Sequence, residues 1–245
     1  MLSLDDAFTG LCVKCKETFE YAYAEKKKCL YCGRLLISEI NSCLYCRSNN
    51  AVNTGQYNET ISKLRALFPY TGKFRSVLSA FKFGKQLCIG NFFALFLDIA
   101  IRESGFICCE DSGVNALSYK EDTAWVPVPP RPGKLKKQGW DQIEFLAGQL
   151  ERTFKQNKRN KGLQTENCLP VCRCLKRLPS KSQKVLNRDE RETNLKGKIF
   201  CTKQPPKTAI LFDDVITTGA TLDACAEALL KGGAEKVYAV CLFYD

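Results

Sequence analysis

The chain has 245 residues, 45% hydrophobic and 26% charged, with a formal net charge of +11, fifteen cysteines and no histidine. That length has room for one sizeable α/β domain plus a small appendage, and that balance excludes a disordered chain. No apolar run approaches the ~18 residues of a membrane helix. The longest, around Phe92 to Leu97 and Ile99, is interrupted by Asp98 and Arg102, so no membrane insertion is expected. The first ten residues carry Asp5 and Asp6 without a basic segment, so no secretory signal is expected either, and a cytoplasmic location follows as the expectation.

Six cysteines fall in three CxxC pairs, Cys12/Cys15, Cys29/Cys32 and Cys43/Cys46. In a reducing compartment such pairs point to metal or free thiols rather than disulfides. A CxxC turn aims two thiolates at one tetrahedral ion, and a second pair about ten residues on completes a four-sulfur zinc site. Cys29, Cys32, Cys43 and Cys46 are therefore the expected zinc ligands, in a closed, structural site. Lys26 to Lys28 and Arg34 lie close in sequence and would lower thiol pKa values. Cys12 and Cys15 stay open: ligands of a second site, partners of Cys168, Cys172 or Cys174, or reduced bystanders. Cys88, Cys225 and Cys241 read as small buried hydrophobes.

Residues 1–50 thus read as a zinc module and residues 51–245 as the main domain. Ala51 to Tyr57 reads as a polar linker or short strand. From Asn58 to about Ile101 the spacing of Leu64, Leu67 and Phe68, then Val77, Leu78, Phe81, Phe92, Phe96 and Leu97, predicts helices, the first broken at Pro69. Lys82, with Lys73, Arg75 and Lys85, falls on the expected wet face. Cys108 to Glu121 reads as a loop. Thr123 to Val128 reads as a buried strand stopped by Pro129 and Pro130. Arg131, Lys134, Lys136 and Lys137 then form a cationic rim at the sheet's C-terminal edge. Gln142 to Thr153 predicts a helix burying Ile143, Leu146, Ala147 and Leu150.

Ile210 to Thr221 reads ILFDDVITTGAT. A buried strand ends in the acidic pair Asp213 and Asp214, at the mouth of a parallel sheet where ligands bind in α/β folds. Thr217 to Thr221 supply amides, hydroxyls and a helix start, which suit a phosphate. A helix over Leu222 to Lys231 ends at Gly232 and Gly233, and Val237 to Phe243 predicts the next buried strand. The segment resembles the phosphoribosyl-pyrophosphate (PRPP) motif of type I phosphoribosyltransferases. The resemblance implies that Asp213 and Asp214 hold the ribose hydroxyls, with Mg²⁺ between them and the substrate. It also implies that Thr217, Thr218, Gly219, Ala220 and Thr221 wrap the 5′-phosphate. Arg131 and Lys134 are the candidates for the pyrophosphate.

Two further blocks narrow the resemblance. Gln138 to Gln142 reads QGWDQ after the VPVPPRPG turn, and Gln183, Leu186, Arg191 and Asn194 stand before the PRPP strand. Cysteine pairs, proline-rich basic turn, aromatic element and PRPP motif together resemble the ComF family of competence-associated proteins. QGWDQ departs from the family's Arg-Gly-Phe-Asn-Gln by Gln for Arg, Trp for Phe and Asp for Asn. Lys136 and Lys137 supply charge there without the planar fork of arginine. The resemblance implies a zinc ribbon ahead of a mostly parallel sheet with helices on both faces, and a hood over about 161–200. Lys161 to Pro205 holds eleven basic and four acidic residues, including Arg173, Lys176 and Arg177. Such a segment suits either the pyrophosphate of PRPP or a nucleic-acid backbone. Two functions follow: a Mg²⁺-dependent phosphoribosyltransferase with an unidentified acceptor, or a factor that binds single-stranded DNA alongside the DNA-uptake machinery. No histidine is present to act as a general base.

Overall fold

In the computed structural model, residues 10–103, 122–159, 168–179, 195 and 197–245 are described. The expected loop at Cys108 to Glu121 lies outside these residues. So do most of the expected hood and its Gln183, Leu186, Arg191 and Asn194.

Four parallel strands form the central sheet in the order β1-β6-β5-β2: β1 (Lys63–Pro69), β2 (Thr123–Pro127), β5 (Thr208–Ile216) and β6 (Lys236–Tyr244). β3 (Leu175–Arg177) and β4 (Ile199–Cys201) form a separate antiparallel pair. Strands of a parallel sheet are buried on both faces, which is why β5 and β6 read as nearly unbroken apolar runs. Their side chains still alternate. Ile210 and Phe212 join Tyr238, Val240 and Leu242 in one core. Ala209 and Leu211 join Val237, Ala239 and Cys241 in the other.

The first core is closed by α1 (Val13–Ala24), α4 (Gly72–Lys82), α5 (Cys88–Glu103) and α7 (Gln142–Arg159). α7 buries Ile143, Leu146, Ala147 and Leu150, as its period predicts. Phe19 of α1 stands edge-on to Phe68, Phe74 and Phe92, which locks α1 over β1. The second core is closed by α8 (Ala220–Lys231) and by the segment holding Cys29, Cys32, Cys43 and Cys46. The fold is thus an α/β layer structure with helices on both faces, as expected.

Three local expectations are corrected. Lys63–Pro69 is a strand rather than a helix, so Pro69 ends β1 instead of breaking a helix. The i, i+3, i+4 spacing of Leu64, Leu67 and Phe68 arises because both faces of β1 are covered, which hides the alternation of a strand. Ala51 to Tyr57 is neither a linker nor a strand: α3 (Ala51–Thr54) is a single helical turn, and Tyr57 is buried. Cys88 opens α5 at the surface, whereas Cys225 and Cys241 are buried as expected.

Both edges of the sheet are covered. Beyond β2, Trp125 N–H donates to the Pro170 carbonyl and Cys172 N–H to the Trp125 carbonyl. Beyond β1, the first cysteine turn lies along the strand: Leu64 N–H donates to Tyr31 O at 3.3 Å and Ala66 N–H to Cys32 O at 2.8 Å. These bonds satisfy edge groups that would otherwise invite pairing with another chain. Gly33 makes the approach possible. It sits at φ +74°, and a Cβ there would lie 3.0 Å from the Ala66 carbonyl oxygen. Gly33→Ala is therefore expected to destabilise the fold by at least ~1 kcal/mol, and calorimetry should show a Tm lowered by about 2–4 °C.

Candidate functional site

β5 carries the acidic pair. It runs on to Ile216, so Asp213 and Asp214 lie within its last turns rather than just after its end. Adjacent strand residues face opposite ways. Asp214 turns toward α4 and α7: Lys82 Nζ reaches its Oδ2 at 2.7 Å, and Gln142 Nε2 donates to the same oxygen at 2.5 Å. Asp213 turns toward the α8 side, where its charge acts on Cys225 and Arg177. Its Oδ1 accepts the Asp214 amide at 2.8 Å. Burial, and then the neighbouring Asp214 charge, push the Asp213 carboxyl up to about 8.

Both carboxylates line a cavity of about 500 Å³ at the C-terminal end of the sheet. Its cationic wall comes from Lys82, Arg131, Lys134, Lys137 and Arg177. Lys82 was expected on a solvated helix face and is corrected here: α4 ends at Lys82 and delivers it to the acidic pair. Arg177 ends β3 and is buried; desolvation first, then the nearby Arg131 charge, lower its pKa. Two guanidinium groups lining one cavity suit a polyanion.

The QGWDQ element forms the opposite lip. Lys134–Gln138 is a short helix, α6, stopped by Gly139 in the left-handed region. Trp140 packs edge-on to Phe81 at 5.5 Å. Asp141, only 3% exposed, caps α7: its Oδ1 accepts the Ile143 and Glu144 amides at 2.9 and 3.1 Å. Asp and Asn are equivalent at such a cap, so this departure from the family pattern conserves the function of the position. Asp141 Oδ2 also pairs with Lys134 at 2.5 Å, and Lys134 bonds Gln142 as well. Lys134 therefore braces the lip.

The loop after β5 reaches the same place. Gly219, at φ +85°, is the N-cap of α8, and Thr221 lines the cavity. Thr217 is exposed and Thr218 half-exposed, while Ala220 is buried in the first turn. The structure thus brings Asp213, Asp214, Thr221, Arg131 and Lys134 to one cavity. Thr217, Thr218, Gly219 and Ala220 form the turn beside it.

The sulfurs of Cys29, Cys32, Cys43 and Cys46 all lie within 4.8 Å of one another, and all four residues are buried. Tetrahedral coordination at a Zn–S distance of about 2.3 Å requires sulfurs about 3.8 Å apart. Cys32 and Cys43 stand 3.7 Å apart, and Cys43 N–H points at Cys29 Sγ at 3.4 Å, as it would toward a bound thiolate. The donor set fits a structural zinc. Contacts among the thiols, led by Cys32, hold Cys29 low, and contacts led by Cys29 push Cys46 up. The lysines do not produce these shifts. Lys27 and Lys28 donate to the Ile37 and Tyr23 carbonyls, and Arg34 lies over the Tyr45 and Tyr244 rings. Among the described residues no other cysteine group gathers three ligands: Cys12 and Cys15 adjoin each other, Cys168 meets Arg102, and Cys172 adjoins Cys174.

Two outcomes are expected. Elemental analysis should find one zinc per chain, and Cys43→Ser should abolish its retention. Asp213→Asn should raise Tm by an amount that depends on pH. The penalty for ionising Asp213 is absent below about pH 4, grows as pH rises, and is complete above about pH 8. The gain should therefore be small at pH 5 and larger at pH 8, read by thermal melts at both.

No family model matches the chain. Curated relatives do. Competence protein F of Haemophilus influenzae is 26% identical over 96% of this chain and 90% of its own length. Competence protein ComFC of Streptococcus pneumoniae is 25% identical over 97% and 89%. A ribose-phosphate pyrophosphokinase of Bacillus subtilis is 54% identical over a 35-residue stretch, 14% of this chain and 11% of the enzyme. The first two similarities span nearly the whole chain. Over nearly its whole length the chain is thus similar to two curated competence proteins, in agreement with the ComF resemblance of its motifs.

Proposed function

We propose that the cavity binds PRPP with Mg²⁺ and that the protein transfers the phosphoribosyl group to an acceptor. One observation carries this reading: an acidic pair and a cationic wall that includes Arg131 and Arg177 face one cavity beside the N-terminus of α8. PRPP has the same polarity, with ribose hydroxyls at one side and a 5′-phosphate and a pyrophosphate at the others. Asp213 and Asp214 accept from the ribose hydroxyls. Thr217 to Thr221 bind the 5′-phosphate, aided by the positive end of the twelve-residue α8. Arg131, Arg177 and Lys82 offset the charge of the pyrophosphate as it departs. Such a reaction depends mainly on positioning and charge stabilisation, which suits a site without histidine.

Mg²⁺ fits this donor set as an ion that arrives with the substrate. Lys82 and Gln142 already engage Asp214, and Asp213 keeps its proton near neutral pH. Bound Mg²⁺ would neutralise phosphate charge and favour the ionised Asp213. The pyrophosphokinase similarity supports PRPP chemistry in general terms.

A second reading rests on the competence-named relatives and on the net charge of +11. In it the basic surface binds single-stranded DNA during DNA uptake, and the cavity serves as a ligand sensor. The two readings are compatible and separable. Calorimetric titration should detect Mg²⁺-dependent PRPP binding by the zinc-loaded chain. Asp213→Ala/Asp214→Ala should weaken it at least about 100-fold, the loss of two hydrogen bonds to charged groups. DNA affinity should survive that change and fall steeply with salt. A well-folded, zinc-loaded chain that does not bind PRPP would overturn the transferase reading.

A further inference from the structure

We propose that Tyr45 is a positioning residue that couples the four-cysteine site to the Thr217–Thr221 loop, so that metal at one and phosphate at the other stabilise each other. The inference rests on reading that loop as a phosphate site.

Tyr45 lies in α2 (Leu44–Ser48), a single turn whose N-cap is Cys43 and which contains Cys46. Two of the four sulfurs therefore bracket it. Its ring stacks on Tyr57, with centroids 5.9 Å apart and planes at 24°. Its hydroxyl donates to the Thr218 carbonyl at 3.4 Å. A Cβ on Gly219 would lie 3.6 Å from the Tyr57 oxygen and 3.8 Å from the Tyr45 oxygen, so both hydroxyls back this turn. Asn58 holds the next turn, donating to Asp223 Oδ1 at 2.6 Å while its own Oδ1 accepts the Thr60 and Ile61 amides. On the far side of Tyr45 is Arg34, next to Gly33 in the first cysteine turn. Its guanidinium lies 5.6 Å from the Tyr45 ring and 5.5 Å from the Tyr244 ring. Tyr244 ends β6 and pairs with Ile216, the last residue of β5.

The consequence is geometric. The Thr218 carbonyl and the Gly219 amide belong to one planar trans peptide unit, so they point in opposite directions. Holding the carbonyl against Tyr45 aims the amide away from the zinc module. An amide aimed in advance binds an anion without first losing its freedom to rotate. Metal that fixes Cys43 and Cys46 fixes α2, and with it the hydroxyl of Tyr45. By linkage, an anion that orders the loop must slow metal release.

The test uses the full chain loaded with zinc, as wild type, Tyr45→Phe, and Leu44→Ala as an exposed control on the same turn. Amide exchange in residues 217–223 is expected to quicken about 5-fold in Tyr45→Phe, with 29–46 unchanged, and to stay at the wild-type rate in Leu44→Ala. Zinc transfer to a chelating dye should slow about 5-fold with Mg²⁺-PRPP in wild type and much less in Tyr45→Phe. Loop exchange equal in Tyr45→Phe and wild type would overturn the proposal. Faster loop exchange in Tyr45→Phe supports the positioning role; PRPP that binds without slowing zinc release would also overturn the coupling, whereas a chain that does not bind PRPP at all would count against the PRPP reading alone.

Discussion

The cavity depends on one constraint, two adjacent carboxylates carried by a central strand to the end of a buried sheet. Taking a carboxylate out of water is costly unless charge or hydrogen bonds replace the lost hydration. Asp214 receives both, from Lys82 and Gln142. Asp213 receives mainly a backbone amide and sits beside Asp214, so its carboxyl favours the protonated form. The pair is thus split between two environments, Asp214 against an ammonium and a side-chain amide and Asp213 desolvated with its carboxyl pushed up. A carboxyl shifted by desolvation and a neighbouring charge inside a cavity marks functional sites more often than structural ones.

That splitting explains the placement of the surrounding elements. α4 ends where its last lysine reaches Asp214. The Asp141 cap starts α7 where its first residue, Gln142, reaches the same oxygen. Lys134 then ties α6 to both Asp141 and Gln142. One network therefore joins the strand to three helices, α4, α6 and α7. A change at Lys134 would act through Gln142 on Asp214, so the residue matters to the site even though its ammonium is already engaged at the lip.

Much of this was legible in sequence where the signal is local. The ILFDDVITTGAT segment announced a strand, a turn and a helix because apolar run, acidic pair and glycine follow within twelve residues. The CxxC spacing announced the four-sulfur cluster because a turn fixes where both thiols point. Lys82 was not legible: its partner lies more than 130 residues away, and an amphipathic helix with a lysine at its polar edge looks alike whether that lysine meets water or a carboxylate. β1 was hidden for a related reason, since covering both faces of a strand removes the alternation that identifies it. The Asp in QGWDQ looked like a departure until its role as a helix cap was visible.

The placement of the cysteine module bears on how the two functional readings relate. Its first turn completes the sheet edge at Leu64 and Ala66, and its second turn stands behind Thr218 and Gly219. A zinc site that served only as a separate nucleic-acid module would not need to back the turn that caps α8. Its sulfurs share a core with the α8 residues Leu222, Cys225 and Leu229. Metal held by these sulfurs would therefore add to the stability of the sheet and of the cavity wall together. Any DNA-binding role of the basic surface is consequently built on the same folded unit as the cavity, and ligand in the cavity has a structural route by which to influence it.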